Sequence, residues 1–196
     1  MALDLHIPDS RLAADAEELV RTASPAFLAN HSLRSYAWSV GLAGRDRVRF
    51  DAELLYVAAL LHDLGLVGRF DTGSCFEEDS AEAAAGLATT AGWSSERAEA
   101  LAEAIRLHVA LAVALDDGPE AYLLWHATGL DVTGHRYGDL AAPFVADVVA
   151  TYPRLDFKRG FTELLAGQAA RKPGCWAAAA VAGGIGERID AAPFPS

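Results

Sequence analysis

Residues 53–66 read ELLYVAALLHDLGL, and the six residues Leu60-Leu61-His62-Asp63-Leu64-Gly65 inside this run decide the reading of the chain. The run is apolar nearly all round, the pattern of a helix buried at the centre of a helical protein rather than lying on its surface. Asp51 is placed to cap its start, and Gly65 is a natural stop. At its end a histidine and an aspartate stand side by side. Burying a carboxylate is costly unless a partner neutralises it, and a divalent cation is one such partner. Adjacent helical residues point about 100° apart, yet near a helix end both can reach one ion between them. The dyad can equally be built without metal, with His62 capping the helix end and Asp63 paired to an arginine.

Working outward, the helical pattern continues almost throughout. Arg11 to Ala23 reads as a first helix. Ser24 and Pro25 suit the N-cap and first turn of a second, which carries His31, Tyr36 and Trp38 and fades near Gly41 or Gly44. After the central run comes a loop, about 67–77. Asp79 or Ser80 opens an alanine-rich helix to Ala91, and Ser94 or Ser95 caps the next, which runs to His108. Asp116 to Pro119 is a turn, followed by a helix towards Asp131. Three further pieces cover Ala142–Thr151, Arg159–Arg171 and Trp176–Asp190, and Pro-Phe-Pro-Ser forms a tail. The expectation is an all-α bundle of eight or nine helices in one domain, 1–196, with the motif-bearing core at about 26–134 and the C-terminal helices completing it.

His31, in Asn30-His31-Ser32-Leu33-Arg34, can face His62 if the two helices pack side by side. Asp131, among Leu130 and Val132, is a second carboxylate in apolar surroundings. Two imidazoles and two carboxylates suit zinc first, then iron(II), manganese or nickel, and are too rich in nitrogen for calcium.

The pieces NHSLRSY (30–36), ELLYVAALLHDLGL (53–66), FEEDSAEAA (76–84), AIRLH (104–108) and GLDVTG (129–134) together resemble the HD-domain metal-dependent hydrolase superfamily, and within it the cyanamide hydratase-like branch. The resemblance implies one ion held by His31, His62, Asp63 and Asp131. It places His108 in the pocket, as a catalytic or substrate-contacting group beside Asp63, against a hydrogen-bonded core histidine. Glu77 then orients a ligand or shuttles a proton, or caps a helix. Asp79 reads better as a cap. Arg34, Cys75 and Phe76 are expected at the substrate. Glu78 stands where the branch has an aliphatic residue, and Cys75 where it has a basic one, which affects the pocket more than the metal site. The activity implied is addition of metal-activated water to a small molecule, cyanamide- or nitrile-like. The alternatives are hydrolysis of a nucleotide or other phosphomonoester, with Arg34 on the phosphate, and a metal-containing module without catalysis.

Composition bounds the rest. The chain has 196 residues, 52 % of them hydrophobic, and a net charge of −11. So acidic a chain is a poor ligand for nucleic acid or anionic membrane, which leaves a small molecule as the expected partner. The alanine-rich helices offer a homodimer face. Cys75 and Cys175 form no CxxC pair and do not read as a disulfide framework, while leaving one bridge between them open; the pattern favours a reducing, cytoplasmic compartment. The N-terminus has no signal-peptide pattern. Trp38, Trp93, Trp125 and Trp176 read as core, His126 as structural, His6 and His135 as terminal and loop residues. Lys158-Arg159 and Arg171-Lys172 read as solvated helix ends.

Overall fold

The computed structural model describes residues 5–195. Among them there is no strand, and ten α-helices follow one another: α1 (Arg11–Ala23), α2 (Ala26–Asp46), α3 (Ala52–Leu61), α4 (Phe76–Thr90), α5 (Ser95–Leu107), α6 (Pro119–Thr133), α7 (Ala142–Thr151), α8 (Phe157–Arg171), α9 (Trp176–Ala182) and α10 (Ile185–Asp190). Among the described residues no helix is long and apolar enough to cross a membrane.

Every residue from Leu54 to Leu61 is buried, so α3 is the central helix that its composition requires. Asp51 starts it by accepting from the N–H groups of Glu53 and Leu54, each at 3.1 Å. Ser10 and Ser94 cap α1 and α5 in the same way. Against α3 pack α1, α2 and α5; α2 also packs along α6, α4 along α5, and α8 along α9. The pairing of α2, α3 and α6 positions the site, because each carries one of the residues singled out above.

Several boundaries differ from the sequence expectation, each for a local reason. Ser24 is not an N-cap; it ends α1, and α2 begins after Pro25 without a side-chain cap. Gly65 does not stop α3, which ends at Leu61. It lies in the 3-10 turn Leu64–Leu66, where a Cβ would collide with the carbonyl oxygen of Phe76. The glycine lets α4 approach the end of α3. Asp79 does not cap α4, which starts at Phe76. Its carboxylate accepts from the Thr72 N–H and hydroxyl and from Lys172 instead. The last expected helix is two, divided at Gly183-Gly184, where Gly184 takes φ 75°. Phe194 is no loose tail but is 5 % exposed, its ring against those of Trp38 and Tyr137. Lys172 is no solvated helix end either: it is buried and pairs with Asp71 at 2.8 Å.

The two cysteines bond to each other across 100 residues, Cys75 just before α4 and Cys175 just before α9. Such a bridge persists in oxidising surroundings and is rare in reducing ones.

Candidate metal centre

His31 lies in the second turn of α2, and His62 and Asp63 follow the last turn of α3. All three are buried. The end of α3 gives way to a 3-10 turn at this point, so the two adjacent side chains converge instead of diverging around a helix. His31 Nε2 is 3.1 Å from His62 Nε2 and 3.4 Å from Asp63 Oδ2, and His62 Nε2 is 3.2 Å from the same oxygen. Each residue offers one ligand atom to a common point.

The hydrogen bonds behind these atoms fix which face is open to a cation. His62 Nδ1 meets the Ala59 carbonyl at 2.8 Å, and His31 Nδ1 meets Asp131 Oδ2 at 2.7 Å. Both partners only accept, so both Nδ1 atoms carry protons, and in the neutral rings both Nε2 atoms are lone-pair acceptors. Asp63 Oδ2 is buried without a donor. Two imidazole lone pairs and an orphaned carboxylate oxygen within about a hydrogen-bond length of each other repel unless positive charge lies between them. Where no metal cation lies there, a proton on His31 Nε2 answers the same need. Burial drags His31 down, but Asp131 and Asp63 outweigh it and raise its pKa. Burial lowers His62. Asp63 is pushed up by burial but held well below the usual carboxylate range by His62, His108 and His31. The donor set fits a divalent transition metal.

Asp131, expected as a fourth ligand, stands outside this group. Arg34 grips it with two donors, Nε to Oδ1 at 2.8 Å and Nη2 to Oδ2 at 2.7 Å. Trp38 Nε1 and Arg154 Nη1 donate to Oδ1 at 2.8 and 3.1 Å. With His31 on Oδ2 as well, both oxygens are fully engaged. Burial would raise this carboxyl, but Arg34 and Arg154 hold it well below its ordinary value. The arrangement is a carboxylate that orients a ligand histidine and strengthens it as a donor.

Arg34 was expected at the substrate. It is fully buried behind His31, bound to Asp131 and to the carbonyls of Tyr152 and Pro153, and is absent from the cavity wall. Cys75 is likewise off the wall, its sulfur joined to Cys175. Phe76 is on the wall as expected. So is His108, whose Nδ1 is committed to the Ile105 carbonyl and whose Nε2 is 3.6 Å from Asp63 Oδ1. Glu77 is half-buried and off the wall; Oε2 has no partner, and burial raises its pKa while its own backbone N–H and the charge of Lys172 oppose the rise.

Two contributors escaped sequence reasoning. Trp38 is core, as expected, but its further part in the site is what the sequence hides: its spacing from His31 and Arg34, seven and four residues, puts all three on one face of α2. Arg154 lies in the connection before α8 and left no signal in the sequence. Trp125 and Trp176, also read as core, line the cavity. His126 and His135 hydrogen-bond to each other at 3.1 Å, and His135 reaches the cavity edge.

The centre opens on a cavity of about 450 Å³, with His31, His62, Asp63 and His108 on its wall. The HD-domain family profile matches residues 28–135, the stretch that holds His31, the His62-Asp63 pair and Asp131 in that order. The chain belongs to the HD-domain family. The match is to the HD domain as a whole, which marks a metal-dependent hydrolase. Helices α7 to α10 follow the matched HD domain, and α8 to α10 add Phe161, Trp176 and Ile185 to the cavity wall. No curated protein matches the chain significantly.

Proposed function

We propose that this HD domain is a hydratase or hydrolase that adds water to a small, uncharged molecule. The observation that carries the reading is the convergence of His31 Nε2, His62 Nε2 and the donorless Asp63 Oδ2 at the wall of a cavity of about 450 Å³. These three atoms would hold the ion, zinc being the first to test. When bound, such an ion supplies Lewis acidity and lowers the pKa of water.

The remaining work falls to the chain. Asp131, itself fixed by Arg34 and Arg154, keeps His31 Nδ1 protonated and its Nε2 aimed at the centre. His108 has its Nδ1 tied to a carbonyl, so its Nε2 is the atom free to take a proton from water and return it to the substrate nitrogen. Phe76 and Phe161 keep bulk water from the histidines, which strengthens each of these interactions. A nitrile- or cyanamide-like group is the reading that supplies a carbon for water and a nitrogen for the proton. Among the lining residues only Arg188 is a Lys or Arg. With Arg34 consumed by Asp131, this favours an uncharged substrate over a phosphomonoester.

The test combines metal content with turnover. Wild-type protein purified without chelator is expected to hold about one transition-metal equivalent per chain, lost in His62→Ala, and to convert cyanamide to urea. Asp63→Ala should be inactive. Release of phosphate from nucleoside monophosphates, without turnover of cyanamide or organic nitriles, would replace the hydratase reading with the phosphohydrolase one. Absence of metal uptake would remove both.

A further inference from the structure

We propose that the substrate carries an apolar, ring-sized body beside the group that takes up water. This rests on the hydratase reading above and specifies its substrate. The cavity holds about 450 Å³, within the range of about 300–1,000 Å³ that encloses drug-sized ligands. A molecule of three heavy atoms would leave most of it to water against apolar surface.

The wall is built for something larger. On α6, Trp125, Thr128, Gly129 and Val132 recur at the spacing of one helix face, a strip about 10 Å long. On α9, Trp176, Ala179 and Ala180 do the same. Gly129 and the two alanines open the space, and the rings of Trp125 and Trp176 bound it. Near the histidines, Phe76 packs edge-on to His108 and to Trp176, at 5.7 and 6.1 Å between centroids. Phe161 lies 5.5 Å from His31. Aromatic faces around a gap favour an offset or edge-on ring as guest. Leu111, also on the wall, is fully exposed and continues the apolar surface to the outside.

For a substituted cyanamide the reaction balances without any co-reactant. Water forms the new C–O bond to the nitrile carbon, the C≡N unit loses its π bonding to that nitrogen, and both protons of water end on the product. Phenylcyanamide thus gives phenylurea as cyanamide gives urea.

The matched pair isolates the apolar body. With zinc-loaded protein, kcat/KM for phenylcyanamide is expected to exceed that for cyanamide by about tenfold to a hundredfold, the fold-change for burying one phenyl group. Binding provides a readout that needs no turnover. Phenylurea should quench the fluorescence of the wall tryptophans saturably, and urea at the same concentration should not. Ala179 exposes its side chain on the cavity wall, so Ala179→Phe fills the space without entering the core; it should weaken phenylurea binding at least tenfold. Turnover of cyanamide equal to or better than phenylcyanamide would overturn the inference and leave the proposed function standing. Binding of phenylurea, blocked by Ala179→Phe, with neither cyanamide converted, would uphold the apolar guest and overturn the reaction. No binding of phenylurea would overturn the inference outright.

Discussion

Asp131 carries more of the site than its place behind His31 suggests. It is the single carboxylate facing two buried guanidiniums, and Arg34 and Arg154 have no other acid partner among the described residues. Asp131→Asn keeps the shape but leaves both cations facing an amide. Breaking a buried pair in this way costs about 3–5 kcal/mol, read as a lower urea midpoint with an unchanged slope. The folded fraction should bind metal about 10–100-fold more weakly, since His31 loses its orienting carboxylate. Full metal affinity in the variant would show that His31 does not need that partner. Glu77 gives a prediction of opposite sign. Its carboxyl is raised by burial, so the folded state disfavours the charged form. The penalty is absent below the ordinary value of 4.5 and grows as pH rises through the raised one. Glu77→Gln should therefore melt above wild type at pH 7.5, with the gain vanishing towards pH 4. A gain that persists at pH 4 would assign the effect to packing. At this scale the sequence was most legible where the chemistry is conspicuous: His31, His62, Asp63, His108 and Phe76 all reach the site. The place of Arg34 is not legible in the sequence, because nothing local reveals that a helix-borne arginine points inward. Its partner lies 97 residues away.

Among the elements, α1 and α7 follow their sequence signals residue for residue, because the Ser10 cap of the one, the first-turn Pro143 of the other and the apolar periodicity of both are local. The connection between α3 and α4 does not, because long-range partners set it. It and the first turn of α4 are clasped to a distant part of the chain: Asp71 takes Arg171 and Lys172, each at 2.8 Å, Asp79 takes Lys172 at 3.4 Å, and Cys75 takes Cys175. Phe76 and Trp176, each next to a bridged cysteine, are both cavity residues. The clasp thus sets the spacing of two walls. Lys172 first, with Arg171 and the Gly73 N–H assisting, holds the Asp71 carboxyl down at about 2. A lowered acid stabilises above its ordinary value and loses that contribution as pH falls towards the folded one, so this contact should fail between about pH 4 and 2. Amide exchange in residues 67–75, compared with α3 as an internal standard, should rise across that window in wild type. In Asp71→Asn it should be fast throughout. Identical protection in the two proteins would assign the hold to the disulfide alone. Reduction, in turn, removes a cross-link over 100 residues, worth about 4–5 kcal/mol in the chain-entropy account, and should lower the melting temperature of wild type while leaving Cys75→Ser unchanged.

Across the whole molecule, the proposed ligands come from two helices that touch only in the folded chain, His31 on α2 and His62 with Asp63 beyond α3. The fold therefore brings the three atoms together, and an ion bound there must in turn stabilise the fold. At a free concentration one hundred times its dissociation constant, a ligand of the native state alone adds about 2.7 kcal/mol. For a chain of this size each kcal/mol moves the melting temperature by about 2–4 °C, so saturating zinc should raise it by about 5–10 °C over protein in chelator. The unfolded chain also offers histidines, and any zinc they take reduces the shift. His62→Ala supplies the control, since it keeps every other histidine but lacks one of the converging atoms. It should melt at one temperature with and without zinc. A variant that responds as strongly as wild type would place the ion elsewhere, and the exposed pair His126–His135 would then be the first place to look, because it brings two imidazole nitrogens within 3.1 Å without a carboxylate among them.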